Sequence, residues 1–256
     1  MASILWILAV VSFACTGHAL PANWNWPKLK GVGKFEARNA MLERLVLSLL
    51  EGLRQDMVTG GDTMPVLDPY HLELLEVDGG SFGLPGSHIH LEEFQVRNLS
   101  SFSVDKLSIT MTNIILQRYR VLLDISIPTI EVESKAYDLF IGLMGYKVFG
   151  AGSLDLSLVN PTLKANILVG ARLSITGIYL SIIETEIIFD LEAFKTNIEG
   201  LFNNEYASEF ANRFLGYLVP DLIEEYQAEI TITLSKLVKD VGNDLLKDLN
   251  LIDLIA

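Results

Sequence analysis

Apolar residues recur in steps of four or three along the last part of the chain, from Phe210 through Phe214, Leu218, Leu222, Tyr226, Ile230, Leu234 and Val238 to Val241 and Leu245. Asp221, Glu224, Glu225, Glu229, Lys236 and Lys239 fill positions between them, as expected of an amphipathic helix with one buried stripe. The spacing predicts a single long helix over residues 203–247. Asn203 or Asn204 is placed to cap it, with acids leading and lysines trailing as the helix dipole prefers. Pro220 should kink it, and the β-branched run of residues 230–233 is its one stretch with strand character. A second stripe of Met41, Leu42, Leu45, Val46, Leu49, Leu50, Leu53 and Met57 predicts another helix over residues 34–57, stopped by Gly60-Gly61. Residues 64–86 are rich in proline and glycine and are expected to be irregular.

From Ile89 the period changes to two. Ile89, Leu91, Phe94 and Val96, then Val104, Leu107 and Ile109, predict two strands around residues 98–101. Residues 121–132 continue in the same manner with Pro128 inside, which predicts an edge strand or a bulge. Leu154, Leu156 and Leu158 form a strand that Asn160-Pro161 should end in a turn. The strictest alternation follows in Leu163, Ala165, Ile167, Val169, Ala171, Leu173 and Ile175. A last strand over residues 178–189 slips phase between Ile182 and Ile183, the mark of a bulge. Gly142, Gly145, Gly150 and Gly152 sit where a sheet could bend. The fold class is therefore α+β: a long, strongly curved antiparallel sheet wrapped around a long C-terminal helix, with a second, N-terminal amphipathic helix.

Composition adds the compartment. Residues 2–11 are apolar except Ser3, the run continues through Phe13-Ala14-Cys15, and small residues stand at the cleavage position ending at Ala19. This pattern reads as a secretory signal peptide over residues 1–19, leaving residues 20–256 as one domain and a secreted, extracellular protein. Residues 20–33 have no period and read as an extended lead-in. The single cysteine, Cys15, lies inside the leader, so thiol chemistry and cysteine-ligated metals are excluded from the mature chain. The formal net charge of -13 argues against nucleic acid and against electrostatic docking on anionic lipid. Arg172 and Glu184 interrupt the best later candidate for a membrane span.

Candidate chemistry is sparse. Gly79-Gly80-Ser81-Phe82-Gly83 matches a nucleophile-elbow pattern, but Pro85-Gly86 prevents the helix that must follow, and no acid then histidine comes in the required order. His88 and His90 share one strand face beside Glu92 and Glu93 and read as a solvated pair rather than metal ligands. Gly150-Ala151-Gly152 lacks the third glycine of a phosphate loop. Glu184 and Glu186 read as ordinary acids on a solvated strand face. Asn98-Leu99-Ser100 is an N-glycosylation sequon that a secreted chain could use. The reading is of a non-enzyme without cofactor or metal.

Four short motifs carry a family resemblance: Pro65-Val66-Leu67-Asp68-Pro69, residues 94–102 (FQVRNLSSF), Gly150-Ala151-Gly152, and Gly200-Leu201-Phe202-Asn203-Asn204. In this order they resemble the arthropod takeout and haemolymph juvenile hormone-binding proteins, together with the group 7 mite allergens. All are similar to half of a bactericidal/permeability-increasing protein. The resemblance implies a curved sheet around a C-terminal helix, enclosing an apolar tunnel for lipids or terpenoid-like ligands. Takeout and hormone-binding members usually carry an N-terminal cysteine pair that this mature chain lacks, which leans the resemblance toward the cysteine-free, allergen-like branch.

The expected function is that of a secreted carrier of a lipid, terpenoid or other elongated hydrophobe. The sheet residues expected to line its tunnel are Leu163, Ile167, Val169, Leu173 and Ile175; Phe210, Phe214, Leu218, Leu222 and Tyr226 are expected opposite them. Such a protein leaves room for transient membrane or receptor contact. The alternative is a surface-interaction protein that engages microbial lipid or a protein partner without an internal ligand.

Overall fold

The computed structural model describes residues 35–60, 65–82, 84–143, 146–174 and 177–247. The leader and the lead-in through residue 33 lie outside the described residues, as do Gly145 and Ile175.

Helix α1, Phe35–Thr59, uses the predicted apolar stripe and buries Leu45. It ends at Gly60, whose φ of 72 is the left-handed cap that glycine adopts without strain. Seven strands follow among the described residues: β1 (Tyr70–Asp78), β2 (His88–Arg97), β3 (Ser103–Asn113), β4 (Arg118–Ser126), β5 (Thr129–Leu143), β6 (Tyr146–Ser174) and β7 (Gly177–Ile198). All pairings are antiparallel, in the order β1-β2-β5-β6-β4-β3, with β7 along the other side of β6.

Three elements differ from the pattern-based expectation. Strand β1 lies inside the stretch expected to be irregular; its apolar phase slips between Leu72 and Leu75, where Glu93 on β2 takes a positive φ of 50. Asn160-Pro161 is not a turn, because β6 runs straight through it. Asn160 adopts φ 49 and resets the apolar phase from Leu158 to Leu163. Pro161 has no N–H to donate, but its carbonyl accepts the Ile127 N–H at 3.1 Å, and the Asn160 N–H reaches the Pro128 carbonyl at 3.0 Å. Pro128 accordingly marks a break between β4 and β5, both interior strands, rather than an edge. The slip foreseen at Ile182/Ile183 is present, with Ile183 extra against the Leu168/Val169 step of β6.

The single C-terminal helix is two, placed end to end: α2 (Glu205–Glu225) and α3 (Gln227–Leu246). The interruption is at Tyr226 and not at Pro220. The Tyr226 N–H still bonds to the Leu222 carbonyl and its own carbonyl takes the Ile230 N–H, so the chain bends without losing direction. Asn204 caps α2, its side chain accepting the Ala207 N–H at 3.1 Å. The β-branched run at residues 230–233 is helical, and Ile230 is the most deeply buried large side chain described.

Both helices lie along β7, the outer strand, and close its open edge. Asn212 accepts the Ile198 N–H and donates to its carbonyl; Ser235 accepts the Ile187 N–H; Asn243 does for Ile182 what Asn212 does for Ile198. On the opposite margin α1 packs on β3, where Glu43 accepts the Ile109 N–H at 2.8 Å. Edge amides that would otherwise invite another strand are thus occupied by helix side chains.

Candidate functional site

Directly paired residues of antiparallel strands point to the same face of a sheet. The registers therefore place four rows side by side across β3, β4, β6 and β7: Val104–Ile125–Leu163–Phe189, Leu107–Leu123–Ala165–Ile187, Ile109–Val121–Ile167–Thr185 and Met111–Tyr119–Val169–Ile182. The phenol of Tyr119 and the hydroxyl of Thr185 are the only polar side-chain groups in these rows apart from the Met111 thioether, and the buried Thr185 Oγ1 has no hydrogen-bond partner among the described residues. The other face of the same strands carries Lys106, Asp124, Arg120, Lys164, Asn166 and Glu186, with Arg120 donating to Asn166 and Asn166 to Glu186.

The apolar block is covered unevenly. In the β7 column, Phe189, Ile187 and Ile182 are buried. Phe189 joins Leu191, Phe194, Val219, Ile223 and Ile230 in the main core, with Leu215, Tyr226 and Leu234 around it. In the β4 and β6 columns Tyr119 is buried, but Val121, Leu123, Ile125, Ala165, Ile167 and Val169 are half-buried and Leu163 is 40 % exposed; in β3, Ile109 is buried. The floor between the α1 margin and the α3 margin is thus an apolar trough that solvent still reaches.

The sequence-predicted lining residues divide accordingly. Leu163, Ile167 and Val169 come together on the trough floor. Leu173 is in β6 opposite Ile178, with its side chain outside the described residues, where Ile175 lies entirely. Leu218 and Leu222 are half-buried on α2, and Tyr226 packs on the main core. Phe210 and Phe214 do not join them: they are 71 % and 51 % exposed and stack on each other at 6.1 Å, beside exposed Tyr206 and Tyr217. The inward stripe of α2 is instead Ser208, Asn212, Leu215, Val219 and Ile223, one residue out of phase with the aromatic one. The β4 residues Tyr119, Val121, Leu123 and Ile125, absent from the sequence-predicted set, share this face and alternate as strictly as β6 does.

The remaining candidates are placed without a catalytic constellation. Gly79–Phe82 is a short 3-10 turn between two strands. A Cβ on Gly79 would sit 2.2 Å from the Leu84 carbonyl oxygen, so loop closure accounts for that glycine. His88 lies 3.6 Å from Asp138 and His90 4.0 Å from Glu76, each ring beside its own carboxylate. Glu93 receives hydrogen bonds from His71 and Lys135, which lower its pKa. No three potential metal ligands converge among the described residues.

The model of the haemolymph juvenile hormone binding protein family matches residues 12–256. The chain belongs to this family. The crystal structure of Epiphyas postvittana Takeout 1 shares its fold, with a TM-score of 0.54 at 15% identity, over 85% of this chain and 95% of that one. A lipopolysaccharide binding protein structure aligns with a TM-score of 0.34 at 13% identity, over 76% of this chain and 39% of that one. No curated protein sequence matches.

In this haemolymph juvenile hormone-binding protein family member the four short motifs meet in pairs. Asp68 of the first accepts the N–H groups of Asn98 and Ser100, each at 2.8 Å, and the Ser100 hydroxyl, all from the second. Gly150 of the third bridges to Leu201 of the fourth, and the Phe202 N–H bonds to the Phe149 carbonyl. A Cβ on Gly152 would meet the Glu199 carbonyl oxygen at 2.5 Å, and one on Gly200 would meet that of Ala151 at 2.0 Å. Close backbone approach, not a bend in the sheet, is what these glycines serve. Tyr137 locks the same crossing by donating to the Glu199 carbonyl at 2.6 Å, and burial pushes its pKa up. This second junction sets where α2 begins and hence how both C-terminal helices lie along β7.

Proposed function

We propose that this protein is a secreted carrier that holds an elongated hydrophobic ligand, a lipid or a terpenoid, over the apolar floor between α1 and the C-terminal helices. The observation that carries the reading is the uneven cover of one apolar face. Leu163, Ile167 and Val169, with Val121, Leu123 and Ile125 beside them, are oriented as core residues are, yet the described residues leave them half-buried or exposed. We count Leu173 and Ile175, next in the alternating sequence, among the lining residues, with Leu218 and Leu222 on the helical side. Burying an acyl chain returns ~0.8 kcal/mol per methylene, so ~10 methylenes supply a gross ~8 kcal/mol before association costs. Binding of that kind needs girth and length rather than a polar constellation, consistent with a floor whose polar members are the hydroxyls of Thr185 and Tyr119.

The apolar leader supports secretion. The sequon at Asn98 lies on the surface turn between β2 and β3, and we assign it as a glycan acceptor used before Asp68 closes on Ser100. Native mass spectrometry of protein secreted from cultured cells, with uptake of a fluorescent fatty acid, tests the carrier. Bound hydrophobe in the mass spectrum, or saturable uptake, is expected; a clean ligand-free mass together with no uptake would overturn the reading.

A further inference from the structure

The turn joining β3 and β4 presents three consecutive large apolar residues, Ile114, Ile115 and Leu116, at 69 %, 91 % and 51 % exposure. Single exposed hydrophobes are ordinary on protein surfaces, but three adjacent ones at a protruding tip are not. The turn is not loose. The Asn113 side chain accepts the Leu116 N–H at 2.8 Å, the Gln117 amide donates to the Ile114 carbonyl at 2.9 Å, and the Gln117 carbonyl takes the Ala171 N–H of β6 at 3.0 Å. Polar backbone groups satisfied inside the turn lower the cost of moving it out of water into a less polar medium.

Among the described residues, the charge on the sheet around this tip opposes that of the whole chain. The described residues within 106–123 and 156–183, which meet in the β3–β4–β6–β7 half of the sheet, include Lys106, Arg118, Arg120 and Lys164 and not one Asp or Glu. Arg118 follows the turn directly, and Arg120 lies on the same outer face about 7 Å farther along the strand. At the nearby end of α3, Lys236 pairs with Asp240 and Lys247 with Asp244, so those groups cancel. The acids closest in register are Glu184 and Glu186 of β7, and Glu186 is held by Asn166. The other exposed apolar strip, on α2, is interleaved with Glu205, Glu209 and Asp221 and offers no such match. The net charge of -13 is therefore a poor guide to what this end of the molecule meets.

We infer that the β3–β4 tip docks the protein on bilayers containing anionic lipid: Ile114, Ile115 and Leu116 enter the headgroup region while Arg118 and Arg120 contact lipid phosphate. The last row of the apolar floor, Met111–Tyr119–Val169–Ile182, lies immediately behind this tip, so docking brings the end of the trough to the membrane. The transfer of a hydrophobe by that route rests on the carrier reading; the docking itself does not.

Flotation with vesicles of phosphatidylcholine, and of phosphatidylcholine with phosphatidylglycerol in equal parts, tests the docking using the full chain. The wild type is expected to float with the mixed vesicles. A variant carrying Ile114→Ser, Ile115→Ser and Leu116→Ser should bind them at least about tenfold more weakly, with unchanged circular dichroism and unchanged uptake of free fluorescent fatty acid. The pair Arg118→Gln and Arg120→Gln should abolish the preference for phosphatidylglycerol without touching the apolar tip. A wild type that does not float, or a serine variant that floats as well as wild type, overturns the proposal. Uptake without flotation removes the docking and leaves the carrier; flotation without uptake removes the carrier and leaves the docking.

Discussion

Strands β6 and β7 carry apolar residues in matched positions on one face of one sheet, yet the β7 column is core and the β6 column is a half-open floor. Phe189 is 7 % exposed and Leu163, paired directly with it, is 40 % exposed. Chemistry does not separate them; cover does. Helices α2 and α3 follow the β7 edge because Asn212, Ser235 and Asn243 bond to its free amides, and a helix held there cannot also reach β4. Hydrophobic alternation thus specifies which side of a strand leaves water, while the anchoring of a neighbouring helix decides whether protein or something else takes the water's place.

The difference is open to direct attack. Phe189→Ala in the covered column should cost about 3–5 kcal/mol, read by urea unfolding, whereas Ile167→Ala on the floor should cost about 1 kcal/mol; equal losses would erase the distinction. Tyr137→Phe, at the crossing that positions α2, should cost about 1 kcal/mol at neutral pH. Burial holds the Tyr137 proton above the ordinary value of 10.0. The native state therefore keeps a proton that the unfolded chain loses, and stability is unaffected below that value and falls as pH rises through it. Alkaline unfolding of wild type and variant should converge accordingly. Thr185→Val removes a buried hydroxyl of the β7 column that has no partner among the described residues and should raise stability by about 1 kcal/mol; a loss would mean that something satisfies the group. Ala165→Trp should change stability least, by under about 1 kcal/mol, because Ala165 is only half-buried whereas a filled core would resist overpacking. The same substitution should abolish fatty-acid uptake, and a well-folded variant that still takes up probe would place the ligand elsewhere.

Much of this was written in the pattern of residues. The α+β class, the two helical regions, the alternation of β6 and the slip at Ile183 follow from periodicity alone, because period two and period 3.6 each allow one face to leave water. The motif order pointed to the right family. Where the reading failed, two arrangements fitted the same string. Helix α2 has two apolar faces one residue apart, and the bulk of Phe210 and Phe214 made the exposed one look like core. Asn160-Pro161 has the composition of a turn, but a left-handed residue inside a strand needs the same composition. The glycines at 150, 152 and 200 signalled unusual backbone without saying that it was another segment, rather than curvature, that required them.

The sequence by itself determined which residues avoid water and with what period, and so which elements form and which of their faces are apolar. Which of the two apolar faces of α2 turns inward, how far the C-terminal helices extend along the sheet, and that the middle of the floor stays half-exposed among the described residues were decided only in the tertiary structure. The physical reason is that burial depends on what lies across from a side chain. Contacts such as Asn212 to Ile198, Asp68 to Ser100 and Gly152 to Glu199 join segments 14, 32 and about 50 residues apart, and no local pattern contains them.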